Sequence, residues 1–165
     1  GVKNNETLRG TGQYNRLFTN DRTFALLNLS ALHDAIADVG FRGTVSPGLG
    51  HYFFKEDKFE LSGELGPGFV YEKVGGITDH YMSLRVAESA KYQISERARL
   101  WQKLEYVPQV DYFENYLVIA EIGIDSDLTE KLGMRFTIQD VFDNQPALGR
   151  KSNDLRVVSS LRYKF

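Results

Sequence analysis

Leu155-Arg-Val-Val-Ser-Ser-Leu-Arg-Tyr-Lys-Phe165 is the stretch of the sequence that decides its fold class. Its side chains alternate between two chemical kinds. Apolar and aromatic residues occupy one set of positions: Leu155, Val157, Leu161, Tyr163 and Phe165. Polar and basic residues fall between them: Arg156, Ser160, Arg162 and Lys164. Because successive side chains of a strand point to opposite faces, the alternation predicts a strand with one apolar and one basic face.

This last strand resembles the closing strand of bacterial outer-membrane β-barrels, which has an apolar stripe and ends on an aromatic residue. In those barrels the terminal aromatic is read by the assembly machinery. The resemblance therefore implies that Tyr163 and Phe165 form a C-terminal assembly signal. An ordinary half-buried strand of a soluble sheet would show the same alternation, so the rest of the chain has to decide between the two.

The composition excludes several classes of protein. With 165 residues the chain is long enough for one domain with a core. Its 20 basic and 22 acidic residues give a net charge of −2, which argues against a nucleic-acid partner. The absence of cysteine excludes disulfides and thiolate metal sites. No run approaches the roughly 18 to 20 apolar residues of a membrane helix, but membrane strands are only half apolar and need no such run.

About nine segments of the chain alternate in the way strands do. We expect strands at about Thr7 to Phe18, Thr23 to His33, Phe41 to Phe54, Phe59 to Tyr71, Tyr81 to Ile94, Arg99 to Val107, Tyr116 to Ile124, Leu132 to Phe142 and Leu155 to Phe165. Only Ala31 to Val39 is a weak candidate for a helix. Pro47 and Pro67 lie inside strands, where proline predicts a bulge or irregular pairing.

The connections between these segments alternate in length. Lys55 to Lys58 and Ser95 to Arg97 are short, whereas Glu72 to His80 and Asp143 to Asp154 are longer. Membrane barrels have short periplasmic turns and long extracellular loops. The pattern therefore predicts an all-β fold, an antiparallel up-and-down transmembrane β-barrel with Phe165 on the periplasmic side.

The strand count predicts that part of the barrel is missing at the N-terminus. The first visible strand runs towards a short turn, so Gly1 would lie at the extracellular rim, whereas bacterial single-chain barrels have an even number of strands. We expect residues 1–165 to be a single outer-membrane β-barrel domain that lacks its N-terminal strands, with about nine of ten to twelve strands visible. Alternatively, another chain fills the open edge.

Several stretches resemble one outer-membrane β-barrel family, the salt-induced outer membrane proteins, or domain of unknown function family 481. The matching pieces are Leu100-Trp-Gln-Lys-Leu-Glu-Tyr-Val-Pro108, Asn115-Tyr-Leu-Val-Ile-Ala-Glu-Ile-Gly123, Leu128-Thr-Glu-Lys-Leu-Gly-Met-Arg-Phe136 and Pro146-Ala-Leu-Gly-Arg-Lys-Ser-Asn-Asp154. The resemblance implies about three more strands before Thr7. It brings no catalytic residues, because the family has none established, and its name describes regulation rather than activity.

The polar faces of the predicted strands collect charged side chains that would point into the lumen. We predict this set to be Arg9, Arg42, Glu60, Glu64, Arg85, Lys91, Arg99, Lys103, Glu105, Glu121, Asp125, Arg135, Arg156, Arg162 and Lys164. Acidic strands four and seven would then pair with basic strands five, six and eight. The main interpretation is a salt-bridged plug. The alternative is a narrow channel that slightly favours anions, because bases outnumber acids.

The histidines and the aromatic residues are further candidate sites. His33, His51 and His80 show neither the spacing of a zinc site nor a neighbouring nucleophile. We therefore expect that the protein is not an enzyme and that it binds no metal or cofactor. The basic loop Gly149 to Asp154 suggests contact with lipopolysaccharide phosphates or a partner, although such loops are usually only solvated. Aromatic girdles at the membrane interfaces are predicted from Tyr71, Tyr81, Tyr92, Tyr106, Tyr116, Phe142 and Tyr163.

Together these observations predict an integral protein of the bacterial outer membrane with a charged, largely plugged lumen and a structural or envelope role. The expected partners are outer-membrane lipids and lipopolysaccharide, the barrel-assembly machinery and a protein of an envelope complex, with no nucleic acid. Three alternatives stay open: a narrow pore, a barrel subunit of a larger envelope complex, and a soluble lipid-binding barrel. The last would carry its apolar residues inside and its charges outside.

Overall fold

Nine antiparallel strands form one sheet in the computed structural model, which describes residues 7–19, 21–35, 38–129, 132–146 and 152–163. The strands are β1 (Thr7–Leu17), β2 (Thr23–Asp34), β3 (Val39–Lys55), β4 (Phe59–Val74), β5 (Ile77–Ser95), β6 (Ala98–Pro108), β7 (Tyr116–Asp127), β8 (Leu132–Asp143) and β9 (Asn153–Tyr163). Each strand pairs with the next in sequence, so the predicted up-and-down antiparallel fold is confirmed. The sheet is open, with β1 and β9 at its edges.

The sheet curls around its polar face. Side chains of strands that are not neighbours meet there: Gln13 on β1 bonds Glu64 on β4, and Arg42 on β3 bonds Asp143 on β8. We call this the inner face and the opposite one the outer face. The outer face carries the apolar half of each alternation, so side chains such as Leu49, Leu65 and Met82 are more than half exposed. The predicted alternation therefore holds, with its polar half turned inwards.

Polar side chains make up much of what is buried. Asn28, Asp34, Ser46, Ser62, Ser83, Arg85 and Asp125 are each less than a tenth exposed, whereas the buried apolar side chains among those described include Phe24, Leu26, Val39, Val70, Ala87 and Pro108. A water-soluble sheet with one covered face buries apolar side chains and exposes polar ones. The distribution in this sheet is the reverse.

The connections differ from the predicted alternation of short and long. At one end of the sheet, the turn end, connections 18–22, 56–58, 96–97 and 128–131 are all short, as expected. At the other, the loop end, connections 109–115 and 144–152 are long, but 35–38 and 75–76 are short. The predicted loop Glu72 to His80 is wrong. β4 and β5 continue through it to a two-residue turn, Gly75-Gly76, because two consecutive residues with positive φ match the twist of a hairpin.

Both strand prolines lie where pairing is interrupted, as predicted. β3 and β4 pair at Val45 with Phe69 and again at Leu49 with Leu65, and the intervening residues form no ladder pairs with each other. The register does not shift across this gap, so no bulge is present at the prolines. The backbones approach closely instead: a Cβ on Gly66 would lie 2.1 Å from the carbonyl oxygen of Pro47.

Gly76→Ala tests the β4–β5 turn. The φ of Gly76 is +80°, so the added Cβ is expected to cost about 1 kcal/mol of unfolding free energy from left-handed strain. Gly10→Ala is the matched control, since nothing lies within 4 Å of its Cβ position and it has no positive φ. Urea titration of the folded protein measures the unfolding free energy of both variants. Equal stability of the two variants would contradict the turn geometry.

Candidate functional site: the ion-paired inner face

Arg85 lies at the centre of the inner face between two glutamates. Its Nη1 donates to Glu64 at 2.8 Å, and its Nη2 donates to Glu105 at 3.0 Å. Consecutive antiparallel strands explain this placement, because Glu64 on β4 and Glu105 on β6 both have Ala87 of β5 as their register partner. Arg85, two residues from Ala87, reaches one carboxylate on each side. Lys103 adds a contact to Glu105 at 3.4 Å.

The first two strands reach this centre through amides. Gln13 donates from Nε2 to Glu64 at 2.8 Å, and Asn28 donates from Nδ2 to the side-chain oxygen of Gln13 at 3.0 Å. β1 and β2 contribute mainly hydroxyls and amides to this level of the inner face, such as Thr11 and Ser30, whereas β4 to β7 contribute charges. The interior thus has a neutral polar wall opposite a charged wall.

Two arginines link distant strands at the loop end. Arg42 on β3 donates to Glu72 at 2.5 Å and to Asp143 on β8 at 3.4 Å. Arg156 on β9 contacts Asp34 on β2 and also lies 2.5 Å from Asp154. The Arg42–Asp143 and Arg156–Asp34 pairs join residues more than 100 positions apart, so they stabilise the curl of the sheet at this end.

A third cluster lies nearer the turn end. Arg135 binds both oxygens of Asp125, at 2.6 and 2.8 Å, and stacks over the ring of Trp101 at 5.0 Å. The indole Nε1 donates to the same carboxylate at 3.3 Å. Closer to the turns, Lys91 pairs with Glu60 at 3.2 Å. A bidentate arginine pair with an aromatic stack is rigid as well as charged, so this cluster fixes its side chains in place.

Most of the charged residues predicted for the lumen lie on the inner face. Glu121 accepts a hydrogen bond from Gln139, and Arg99 donates to Gln93 at 3.1 Å. The side chains of Arg9 and Arg162, together with Lys164, lie outside the described part of the structure, as do the side chain of Tyr163 and all of Phe165.

Sequence reasoning missed three inner-face acids. Asp34, Glu72 and Asp143 were assigned to loops or strand ends, whereas the strands extend far enough to turn them inwards. With them, the described bases of the inner face no longer outnumber its acids: the bases include Arg42, Arg85, Lys91, Arg99, Lys103, Arg135 and Arg156, and the acids include Asp34, Glu60, Glu64, Glu72, Glu105, Glu121, Asp125, Asp143 and Asp154. The basic excess on which an anion preference was predicted is therefore absent among the described side chains.

Two adjoining cavities lie within the inner face. One of about 160 Å³ lies between Thr11 and Gln13 on the neutral wall and Lys103 and Glu121 on the charged wall. The other, of about 60 Å³, is lined by Ser46, Arg85 and Val141 among others, and Ile119 lines both cavities. The hydroxyl of Ser46 is buried there without a protein partner, as is Nε of Arg85. Both cavities have polar groups in their walls and are large enough to hold water.

The three histidines lie apart from one another. Nδ1 of His33 is 2.7 Å from the carbonyl oxygen of Gly40, and Nδ1 of His51 is 3.0 Å from the hydroxyl of Thr23. The ring of His80 lies beside Phe69. Within the described ranges, no group of three or more histidine or acidic side chains has metal-binding geometry. Of the basic loop, 149–151 lies outside those ranges.

Aromatic side chains cluster at the loop end of the outer face. Tyr116 lies between Tyr106 and Phe142, with ring centroids 5.6 and 6.0 Å apart. Phe41 and Tyr71 form a similar pair. Tyr81, predicted for this girdle, is instead on the inner face, where its hydroxyl donates to Glu72 at 3.4 Å. The strand alternation explains the error: Tyr81 precedes the outward-facing Met82, so its own side chain points inwards.

Comparison with known families gives a match to a family model described as "Protein of unknown function, DUF481", over residues 1–165. The chain belongs to this family. The resemblance to family 481 noted in the sequence is thereby confirmed. No curated protein and no solved structure matches the chain. None of the described residues forms a helix long and apolar enough to cross a membrane.

Proposed function

We propose that this member of the DUF481 family forms the wall of a bacterial outer-membrane β-barrel, with a structural or envelope role. In this proposal the outer face contacts lipid, and the ion-paired inner face fills the lumen. The open edges of the sheet at β1 and β9 need pairing partners in lipid, because an unpaired strand edge leaves backbone groups without hydrogen bonds. Its partners are outer-membrane lipids, lipopolysaccharide and, during biogenesis, the assembly machinery.

The observation that carries the proposal is the exposure of the apolar face. Leu49, Phe53 and Leu65 are each about half exposed, while Arg85 and Asp125 are buried. Large contiguous apolar surfaces are unfavourable in water and mark contact with lipid or protein. Membrane barrels show the same arrangement, with apolar residues outwards and polar residues inwards. A soluble lipid carrier needs the opposite arrangement, and this disfavours that alternative.

Gel mobility of the detergent-extracted protein tests the membrane proposal. A closed membrane barrel stays folded in the detergent of the gel until it is boiled, so we expect a boiling-dependent shift for protein recovered only with detergent. Solubility in plain buffer together with unchanged mobility would contradict the proposal.

A narrow pore is the second candidate function, and the two inner-face cavities favour it. They lie between the neutral wall and the charged wall, and both are lined by Ile119. The near balance of inner-face charges predicts weak selectivity between cations and anions, rather than the anion preference suggested by the sequence.

Ile119→Trp tests the pore in planar bilayers. The indole is expected to fill cavity space and lower the single-channel conductance. Ile122→Trp, on the outer face of the same strand and 48% exposed, is the matched control and should conduct like the parent protein. Absence of any conductance from the parent protein would leave the plugged structural barrel as the function.

A further inference from the structure

A polar pair interrupts the apolar outer face of β5 and β6. Nε2 of Gln102 donates to Oε1 of Glu88 at 2.9 Å. On β5 Glu88 follows the outward-facing Val86, and on β6 Gln102 lies between Leu100 and Leu104. The register partner of Gln102 on β7 is Ile122, another exposed apolar residue. The pair therefore lies within the apolar band, away from both ends of its strands.

Such a pair is costly where lipid alone covers it. A carboxylate on the lipid face of a membrane barrel is unfavourable, and ionisable groups within a membrane usually have a partner. The hydrogen bond between the two side chains leaves one donor and one acceptor without a use. The amide of Gln102 has a second N–H, and the carboxyl group of Glu88 has a second oxygen.

We propose that this surface is the contact between two copies of the chain. The proposal rests on the membrane orientation proposed above. The donors and acceptors are self-complementary. Around a two-fold axis, each Gln102 donates its second N–H to Glu88 of the other copy, as an isologous interface requires. The two carboxylates then occupy opposite corners of a closed ring, with the amides between them.

The surroundings of the pair include small side chains. Gln102 has Ala90 as its register partner on β5, whereas Gly63, the partner of Glu88 on β4, is covered by the ring of Phe53. Small residues beside hydrogen-bonding side chains are a common feature of contacts between membrane segments. Ala120, opposite Leu104 on β7, extends this shallow surface by a further strand.

Disulfide crosslinking tests the proposal cleanly, because the chain has no cysteine of its own. Leu104→Cys places a thiol opposite Glu88, and Ile138→Cys places one on β8, away from the pair. The two positions are matched in chemistry and exposure, at 45% and 39%. Each variant is folded into lipid vesicles at a low protein-to-lipid ratio and oxidised with copper phenanthroline.

We expect a crosslinked dimer from Leu104→Cys at a yield at least about fivefold above that from Ile138→Cys. Adding Glu88→Leu and Gln102→Leu to the Leu104→Cys protein should lower the yield to the control level. Equal yields at both positions, or a monomer throughout, would overturn the proposal. A fixed complex with a different protein in native membranes, without a dimer in vesicles, would overturn it as well.

The gel shift on boiling separates this proposal from the membrane assignment. Vesicle protein that shifts on boiling but does not crosslink at position 104 contradicts only the dimer. Protein that neither enters vesicles nor shifts contradicts the proposed function itself.

Discussion

Arg85→Met is expected to lower the unfolding free energy by about 3 kcal/mol, the lower part of the range for breaking a buried ion pair. Arg85 is 2% exposed and joins Glu64 on one strand to Glu105 on another. Methionine keeps much of the volume but leaves both carboxylates without their main partner. The remaining contacts of Glu64 with Gln13 and of Glu105 with Lys103 keep the cost from being larger.

Arg99→Met is the matched control. Arg99 is on the inner face of β6, but it is exposed and donates to the neutral Gln93. Its replacement should change the unfolding free energy by less than about 0.5 kcal/mol. Urea titrations followed by gel mobility measure both variants. Equal costs would show that the ion pairs of Arg85 contribute no more than an exposed hydrogen bond.

A rescue distinguishes unpaired charge from lost packing. Combining Arg85→Met with Glu64→Gln and Glu105→Gln removes the two stranded carboxylates and leaves the shape nearly unchanged. Because an unpartnered buried charge costs more than a neutral amide, the triple variant should recover at least about half of the lost free energy. If it is no more stable than the single variant, packing of the arginine is the dominant contribution.

The sequence predicted the strands well because each carries its own alternation. β3 shows this plainly: Val45 and Leu49 point outwards while Thr44 and Ser46 point inwards, as the two-residue period requires. The same period placed Glu64, Arg85 and Glu105 on one face. Which strands pair was also predictable, because consecutive strands of an up-and-down sheet are neighbours.

Strand ends and contacts across the interior were not predictable in the same way. Glu72 continues the alternation of β4, but the glycines at 75 and 76 favour a long loop when only the sequence is considered, and this hides its inward position. Contacts such as that between Arg42 and Asp143 depend on how far the whole sheet curls. Curl arises from twist accumulated over several strands, which no local pattern in the sequence specifies.

Gly123 supports the cluster of Trp101, Asp125 and Arg135, and its replacement should have the second large effect. Trp101 on β6 and Gly123 on β7 are register partners, and the indole of Trp101 lies directly over the glycine. A Cβ at position 123 would lie 2.5 Å from the indole and 2.7 Å from the carbonyl oxygen of Phe136. The backbone oxygen cannot move far, so the indole has to leave.

Gly123→Val should therefore cost about 3 kcal/mol of unfolding free energy, from overpacking and from the lost indole contacts with Asp125 and Arg135. Trp101 is the single tryptophan of the chain, so its fluorescence reports the displacement directly. We expect a red-shifted emission maximum in the folded variant, because the ring moves from the glycine into the wetter interior. Gly12→Val is the control, since nothing lies within 4 Å of its Cβ position. An unchanged emission maximum in a folded but destabilised Gly123→Val protein would show that the backbone yields and the indole stays, contrary to this account.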